Sequence, residues 1–349
     1  MNRPVINIVM STYWHSEIFS AMIKYFKKYS RVFAYIVTKD PIENAALYLY
    51  FRPHLASEFK FPYAVIAHHD FFDIDESLQF KNVQFIYSKA DIVFCLNSNQ
   101  KKFLEANGIN NIHIVPHGYN EILLKVKKRS SKLKWIGFFS SHYIRGVKGE
   151  DYFISIIKIL DSRKFGVILV GTGRMLLAKQ IKELGYKVEC YEQIFYPMIK
   201  YLYARISVLV ISSITEGGPA SLPEAIATGT PVLIRKNVGM ECDLFCNKLL
   251  YNLSNDPIVD ANLITDLCFG DSHWRDFNFV ITWAACIKMY ELCFLKVFDR
   301  HQNYSTLLLK YNELLYYINL CWDVKIISKI LKQTLNFVKL VKDCMFCVK

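Results

Sequence analysis

Residues 211–234 decide the fold of this chain, and they read Ile-Ser-Ser-Ile-Thr-Glu-Gly-Gly-Pro-Ala-Ser-Leu-Pro-Glu-Ala-Ile-Ala-Thr-Gly-Thr-Pro-Val-Leu-Ile. An apolar run, Val208 to Ile211, leads into the stretch, and a second one, Pro231 to Ile234, closes it. The paired glycines at 217 and 218 indicate a loop. A helix is predicted from Pro219 to Thr228, because proline suits the first helical position, where no N–H is needed. Strand, loop, helix and strand in this order are typical of a parallel α/β sheet.

The start of this predicted helix has the properties of an anion site. The amides of Ala220 and Ser221 would point outward at the positive end of the helix dipole. Such a terminus binds anionic groups readily. Two carboxylates, Glu216 and Glu224, have seven residues between them. One precedes the helix and the other lies about one and a half turns into it, so both are expected to face a ligand held at the helix start.

Length and composition indicate a folded protein with an anionic partner. The chain has 349 residues, of which 52% are hydrophobic and 21% charged, which is enough for two domains with cores of their own. The formal net charge is +12. Nucleic acid, anionic lipid and phosphorylated substrates all complement that charge.

The N-terminus reads as a first strand and not as a secretory signal, so we expect the ten cysteines to be reduced cytosolic thiols. The pairs Cys242-x3-Cys246 and Cys344-x2-Cys347 have no second cysteine or histidine pair at zinc-finger spacing, and no metal site is predicted. The longest candidate membrane span, Phe279 to Phe298, is interrupted by three charged residues. The chain is therefore not expected to cross a bilayer.

Residues 1–124 alternate short apolar runs with amphipathic stretches, which predicts a parallel sheet covered by helices. The predicted strands are Val5 to Met10, Val32 to Val37, Tyr63 to Ala67, Ile92 to Leu96 and Ile112 to Val115, and the predicted helices are Ser16 to Lys28 and Asn99 to Asn107. Ligands bind beyond the carboxyl ends of such strands. Ser11 to His15, which includes Thr12, follows the first strand, and His68-His69-Asp70 follows a later one. A histidine there is either a functional group or an ordinary loop residue.

Residues 125–134 carry six basic residues in ten and read as a solvated linker. A second alternating pattern begins at residue 135. In it, Arg145 and Lys148 lie on a loop between a strand and a helix, Asp151 to Leu160, and they suit the clamping of a diphosphate. An ordinary solvated basic loop is the alternative. Gly171-Thr172-Gly173-Arg174 after the next strand lacks a third glycine and more often marks a tight turn.

The last part of the chain is predicted to be helical. A helix from about 274 to 300 is followed by an aromatic and basic extension, 301–349. In the extension a lysine face opposes an apolar face, which is typical of helices that lie on anionic membranes or pack on another domain. The residues of the lysine face are Lys325, Lys329, Lys332, Asn336 and Lys339. Both interpretations remain open.

At this point the chain resembles glycosyltransferases of the GT-B fold, in the large retaining family four. Residues 208–234 resemble the family's signature of a strand, Ser, Glu-Gly and then Leu-x-Glu-Ala-x-Ala-x-Gly-x-Pro-Val, and Glu216 and Glu224 match its Glu-x7-Glu pair. Val115-Pro116-His117-Gly118 is similar to the turn that closes the family's N-terminal domain. The resemblance is strong from about 135 to 240, weaker from 60 to 120 and absent after 300.

The resemblance implies two Rossmann-like, doubly wound domains that face a cleft, followed by a helical extension. Residues 1–124 would form the acceptor domain, 125–134 the linker and 135–273 the nucleotide-sugar domain. Residues 274–300 would form a helix that crosses back to the first domain. The implied enzyme is a hexosyltransferase that transfers a sugar from a nucleoside-diphosphate sugar to a hydroxyl of a glycan or lipid-linked acceptor, as in polysaccharide or lipopolysaccharide biosynthesis. The protein would be cytoplasmic and peripheral on the inner face of the cytoplasmic membrane, with an anionic membrane surface but no nucleic acid as a partner.

The resemblance also implies residue roles. His69 and Glu216 would be catalytic, with Glu216 on the transferred sugar and Glu224 on the ribose. Donor contacts would further involve Arg145, Lys148, Gly217, Gly218, Ala220, Ser221 and Leu222. Thr12 and His15 would contact the acceptor. Neither a cofactor nor a metal is expected, because Arg145 and Lys148 would supply the positive charge. Base contacts are expected near Tyr191 to Phe195.

Three positions depart from the family pattern: the first loop is Ser11-Thr12-Tyr13-Trp14 and not glycine-rich, Gly137-Phe138 replaces Gly-Arg, and His117 replaces asparagine. Two other functions stay open on the sequence. A GT-B sugar-nucleotide epimerase would turn over the donor without an acceptor. A non-catalytic, basic membrane-binding protein on a transferase fold would bind no donor.

Overall fold

The computed structural model describes residues 3–10, 17–68, 71, 76, 79–129, 131–214, 216–236, 238, 249–270 and 281–302. These residues form two six-stranded sheets in which the strand pairs run parallel. Both sheets belong to one unit of the chain, Met1–Phe298. The α/β fold predicted from the sequence is confirmed.

The first sheet has the strand order β2-β1-β3-β4-β5-β6. Its strands are β1 Val5–Val9, β2 Ala34–Thr38, β3 Leu47–Tyr50, β4 Tyr63–Ala67, β5 Ile92–Cys95 and β6 Ile112–Ile114. Its helices are α1 Glu17–Tyr29, α2 Phe80–Lys89 and α3 Ser98–Ala106. The sequence patterns predicted neither β3 nor α2.

The second sheet has the order β12-β11-β10-β7-β8-β9, so β10 and β7 lie at its centre. Its strands are β7 Lys134–Phe139, β8 Phe165–Val170, β9 Lys187–Tyr191, β10 Ile206–Ile211, β11 Val232–Ile234 and β12 Leu250–Asn252. Its helices are α4 Glu150–Ile157, α5 Met175–Glu183, α6 Ile199–Tyr203, α7 Ser221–Ala227 and α8 Pro257–Phe269.

Both faces of the second sheet are covered, as parallel sheets require. On one face Leu209 of β10 belongs to an apolar cluster with Leu222 and Ile226 of α7. On the other face Val208 lies in a cluster with Phe153 of α4 and Ile264 of α8. Because β10 is held from both faces, its carboxyl end fixes the position of the 212–220 loop.

The last described helix, α9 Trp283–Gln302, packs on the first sheet. Tyr290 lies against Phe94 of β5, with ring centroids 4.5 Å apart. Glu291, only 1% exposed, accepts a hydrogen bond from Ser30 Oγ. Within the described residues, no helix is both long and apolar enough to traverse a lipid bilayer. Of the predicted extension, 301–349, residues 301 and 302 belong to α9, and residues 303–349 lie outside the described residues.

Candidate active site

The loop after β10 and the start of α7 form the centre of the site. The helix begins at Ser221, two residues later than predicted. The N–H of Leu222 donates to the C=O of Pro219 at 3.1 Å. Pro223 has no N–H, so it cannot make the usual i to i−4 bond to that carbonyl, and the first turn is tighter than an α-helical turn. Leu222 itself is 1% exposed, so its side chain holds α7 on the sheet.

Two loops of the second sheet are fastened together at this edge. The N–H of Ile214 donates to the C=O of Val147 at 2.8 Å. The buried Oγ of Ser212 donates to the C=O of Gly149 at 2.8 Å. Gly149 has a φ of +67°, and a Cβ there would lie 2.1 Å from the Ser212 carbonyl oxygen. The absence of a side chain at Gly149 therefore lets Lys148 approach the 212–218 loop.

Lys148 and Glu216, which are 68 positions apart in sequence, form an ion pair. The Nζ of Lys148 lies 2.5 Å from Oε1 of Glu216, and the side chains are 11% and 14% exposed. The other carboxylate oxygen, Oε2 of Glu216, is buried and accepts no hydrogen bond from the described part of the chain. A buried acceptor without a donor is costly, and in native proteins it often marks a position that a ligand fills.

Arg145 lies on the same loop as Lys148 and shares a contact with it, the ring of Tyr143. Its guanidinium carbon is 5.7 Å from the ring centroid of Tyr143, and Lys148 Nζ is 5.4 Å from the same centroid. The structure therefore brings the two predicted cations together on the half-exposed Tyr143 ring, and Lys148 also pairs with Glu216. Nothing in the sequence distinguished their positions.

Glu224 of α7 is enclosed by two tyrosines that the sequence did not point out. The hydroxyl of Tyr203 donates to Oε2 at 2.9 Å, and that of Tyr196 donates to Oε1. Burial raises the pKa of both tyrosines, so their protons stay in place at neutral pH. Burial also raises the pKa of Glu224 to about 7, although the two hydroxyl donors oppose that rise.

The first sheet contributes Asn97 to the site. Asn97 follows β5, and its Nδ2 donates to the C=O of Gly217 at 3.0 Å. Gly217 is buried, whereas Gly218, Ala220 and Ser221 are partly exposed. The predicted donor residues around the 217–221 turn thus lie beside a side chain of the other sheet. The sequence signal for this contact is an asparagine two residues after a buried strand.

The predicted residues of the first sheet's loops fall mostly outside the described structure. His69, Thr12 and His15 lie outside the described residues, as do the cysteine pairs Cys242/Cys246 and Cys344/Cys347. Two neighbouring histidines are described. His68 stacks on His117, with centroids 5.8 Å apart, and burial lowers the pKa of His117 to about 4. His117 is therefore a neutral aromatic packing residue at neutral pH.

Arg174, which follows the predicted tight turn at Gly171-Thr172-Gly173, is fully buried. Its guanidinium donates to Ser140 C=O at 2.6 Å and to Glu150 at 2.7 Å, and it lies over the Phe138 ring at 4.7 Å. It thereby ties the loop after β8 to the loop after β7 and the start of α4. The sequence signal for this role is an arginine that closes a Gly-x-Gly turn after a buried strand.

The base region predicted near Tyr191 to Phe195 covers the end of β9 and the turn after it. Glu192 in this turn accepts from the N–H of Met175 at 3.4 Å through its side chain, and Phe195 is exposed. Among the described residues, no group of three or more His, Cys, Asp or Glu side chains is placed to hold a metal ion.

Comparison with known proteins gives one family and many similar folds. Residues 124–257 match the profile of the family described as "Glycosyl transferases group 1". No curated protein sequence matches the chain. The matched region contains the Lys148–Glu216 pair and the enclosed Glu224.

Three solved structures illustrate the shared fold. A TarM mutant from S. aureus, in complex with Fondaparinux, alpha-GlcNAc-glycerol and UDP, is 17% identical with a TM-score of 0.52, covering 72% of this chain and 55% of that one. The chain thus spans about half of that structure. Sucrose-phosphate synthase from Thermosynechococcus elongatus is 15% identical with a TM-score of 0.61, covering 90% of this chain and 100% of that one. WaaG, a glycosyltransferase involved in lipopolysaccharide biosynthesis, is 12% identical with a TM-score of 0.55, covering 84% of this chain and 98% of that one.

The family match and the shared fold agree with the site geometry, in which a carboxylate, a cation and a helix start meet at the carboxyl edge of a parallel sheet. They confirm the GT-B fold, and the match at residues 124–257 agrees with the glycosyltransferase class that the residues at 208–234 suggested. Residues 124–257 match the family described as glycosyl transferases group 1, and the chain that contains them has the two-sheet fold of solved structures that include the glycosyltransferase WaaG.

Proposed function

We propose that the protein is a retaining glycosyltransferase that moves a sugar from a nucleoside-diphosphate sugar to a hydroxyl group of a glycan or lipid-linked acceptor. The observation that carries this proposal is the Glu216 carboxylate. One oxygen is paired with Lys148, and the other is buried without a donor from the described residues. A sugar hydroxyl at Oε2 would satisfy that oxygen.

The charges around Glu216 suit the departure of a nucleoside diphosphate. Negative charge grows on the leaving group as the glycosidic bond breaks, and fixed cations stabilise it most effectively in a site that excludes water. Lys148 supplies one cation and Arg145, on the same loop, a second. The amides of Ala220 and Ser221 add donors to the diphosphate in this proposal.

Glu224 is proposed to bind the ribose. Its carboxyl lies in the first turn of α7, eight positions after Glu216 in sequence, and it already accepts two hydroxyl donors. Ribose hydroxyls are donors of the same kind. Donor binding would therefore exchange or extend an existing hydroxyl cluster around Glu224.

Retention and an α-linked product are part of the proposal. The acceptor hydroxyl would attack the sugar from the same face that the leaving group occupies. The Glu216 carboxylate and nearby carbonyls would stabilise an oxocarbenium-like centre on the sugar. The TarM complex, which holds UDP and alpha-GlcNAc-glycerol, supports a nucleoside diphosphate product and an α-linked glycoside. WaaG, which is involved in lipopolysaccharide biosynthesis, supports an acceptor of the lipopolysaccharide type. His69, Thr12 and His15 keep their predicted roles, and we expect EDTA to leave the rate unchanged.

The first prediction concerns Glu216. Glu216→Gln keeps the size of the side chain and removes its charge, so the ion pair with Lys148 is lost. We expect kcat for sugar transfer to fall about 100-fold or more, the range seen when one electrostatic group of a preorganised site is removed. The measurement is nucleotide release in the presence of donor and acceptor.

The matched control is Glu183→Gln on α5, whose exposed side chain pairs weakly with Lys179 at 3.9 Å. That variant should keep the wild-type rate. Full transfer activity in Glu216→Gln would refute the proposed role.

A donor screen separates the proposal from the two alternatives. Calorimetry with UDP-, GDP- and ADP-sugars should detect binding of at least one donor. An NMR time course with that donor alone should show no conversion beyond slow hydrolysis. Isomerised donor would favour an epimerase, and no binding to any donor would favour a non-catalytic protein.

A further inference from the structure

We propose that Asn97 is a positioning residue that holds the Glu216 loop against the first sheet. Asn97 directly follows the β5 region and is 4% exposed. Its Nδ2 donates to the C=O of Gly217 at 3.0 Å, across 120 positions of sequence. Gly217 is the neighbour of Glu216, so this hydrogen bond joins the two sheets beside the proposed catalytic carboxylate.

The orientation of the Asn97 amide is fixed by its other partner. Oδ1 accepts from the N–H of Gln100 at 2.7 Å and thereby caps the start of α3. If the amide were flipped, its NH2 group would face the N–H of Gln100, and its oxygen would face the C=O of Gly217. Both contacts would be repulsive. The donor therefore has one orientation, toward Gly217.

Gln100 supports the same arrangement from behind. Its Oε1 accepts from the N–H of Leu96 at 2.8 Å, and its Nε2 donates to the C=O of Ala67 at 3.4 Å. Ala67 is the last residue of β4, which precedes the His68-His69 loop. A continuous chain of hydrogen bonds thus leads from the end of β4 through Gln100 and Asn97 to Gly217.

The consequence for function follows from the distance across the cleft. The Asn97–Gly217 bond exists only while the two sheets stand at their present separation, so it links the geometry of the Glu216 loop to the approach of the first sheet. Small displacements of a reacting group reduce turnover strongly. This inference rests on the proposed function, because it assigns to Asn97 the placement of the loop that would carry out sugar transfer.

The experiment uses Asn97→Ser and Asn97→Asp in the full chain. Serine and aspartate are both good N-cap residues, so the start of α3 keeps its cap. Ionised aspartate has no donor for Gly217, and serine is too short to reach it. We expect kcat to fall about fivefold to tenfold, the equivalent of one net hydrogen bond, while the donor Kd stays within about twofold.

The pH dependence of Asn97→Asp distinguishes positioning from a general structural role. Burial raises the pKa of a carboxyl group, and a protonated aspartic acid has an O–H that replaces the lost amide donor. The ratio of variant to wild-type kcat should therefore rise as the pH falls from 8 to 5. For Asn97→Ser the same ratio should stay flat.

The same two substitutions at Asn107 provide the control. Asn107 ends the same helix, and its exposed amide donates to Phe103 C=O at 2.8 Å, away from the cleft. Asn107→Ser and Asn107→Asp should keep wild-type kcat at every pH. Equal losses of kcat and thermal midpoint at both positions would show a structural role only and would overturn the inference.

The outcomes separate this inference from the proposed function. An active wild type with unchanged kcat in Asn97→Ser overturns the role of Asn97 and leaves the proposed function in place. A wild type that is inactive with all donors overturns the proposed function instead. Hydrogen exchange of the Gly217 and Gly218 amides then decides on Asn97: exchange about tenfold faster in Asn97→Ser supports the link, and unchanged exchange overturns it.

Discussion

Glu224 is enclosed by tyrosine hydroxyls, and this enclosure makes its charge depend on pH near neutrality. The raised pKa, about 7, means that the folded protein retains a proton that an unfolded chain releases near pH 4.5. The folded state therefore binds more protons than the unfolded state between about pH 4.5 and 7. The stability that the neutral carboxyl contributes is present below this window and is lost as the pH rises through it.

A prediction follows for Glu224→Gln, which is uncharged at every pH. The shift from 4.5 to about 7 corresponds to about 3 kcal/mol, at about 1.4 kcal/mol per pKa unit. We expect the thermal midpoint of the variant, relative to wild type, to be higher at pH 8 than at pH 5. Differential scanning calorimetry at both values measures it. If the thermal midpoints of the variant and the wild type changed with pH in the same way, the result would contradict the burial of the Glu224 carboxyl.

The sequence predicted the site residues whose spacing along the chain forms a pattern. Glu216 and Glu224 stand at a fixed interval around a predicted helix start, and the structure places Glu224 in the first turn of α7 and Glu216 in the loop before it. Tyr196 and Tyr203 carry no such signal, because a tyrosine in a short helix reads as core. Their partnership with Glu224 depends on how α6 and the turn before it lie beside α7, which is a tertiary property.

At the level of elements, the predicted start of α7 differs from the observed one because two prolines affect it. Pro219 indicated the helix start. Pro223, however, has no N–H that could donate to the C=O of Pro219, and α7 begins at Ser221 instead. The strand β3, Leu47–Tyr50, was missed because its short apolar run has no alternation that separates a strand from a buried helix. Its four buried residues are explained by parallel neighbours on both sides.

The start of α4 provides a prediction for a single element. Gly149 is its N-cap residue, with a φ of +67° and the Ser212 carbonyl oxygen 2.1 Å from a built Cβ. Gly149→Ala should destabilise the protein through both left-handed strain, about 1 kcal/mol, and a backbone clash, about 1–3 kcal/mol more. It should also weaken the Lys148–Glu216 pair. Thermal unfolding and transfer rate measure the two effects.

Gly108 is the matched control for this substitution. It follows α3 with a φ of +76°, and no atom lies within 4 Å of its built Cβ. Gly108→Ala therefore tests left-handed strain without a clash, and it should lower the thermal midpoint less than Gly149→Ala does. Equal effects at the two positions would show that the contact with Ser212 is unimportant.

On the scale of the whole molecule, the chain returns to its first sheet after completing the second. The N–H of Tyr119 donates to Ile281 C=O at 3.1 Å, and the N–H of Trp283 donates to Tyr119 C=O at 3.2 Å. A Cβ at Gly118 would lie 2.5 Å from the Trp283 backbone nitrogen. The turn that ends the first domain thus holds the start of α9. From there the aromatic side of α9 covers β5.

The excess of positive charge is also a property of the whole molecule. We propose that the lysine face of residues 325–339 places the protein on an anionic membrane, where a lipid-linked acceptor would be found. Each lysine near such a surface contributes about 1 kcal/mol, so four contribute about 4 kcal/mol, or about a thousandfold in binding, at low salt. The substitutions to glutamine are made at Lys325, Lys329, Lys332 and Lys339.

This variant should lose co-sedimentation with vesicles that contain anionic lipid and keep its transfer rate on a water-soluble acceptor. The control removes four exposed lysines of the described structure, Lys102, Lys179, Lys182 and Lys187. Because net charge falls equally in both variants, a loss confined to the first assigns binding to the lysine face. An equal loss in both would mean that net charge alone attracts the protein. No binding by wild type would leave packing on the protein's own body as the role of the face.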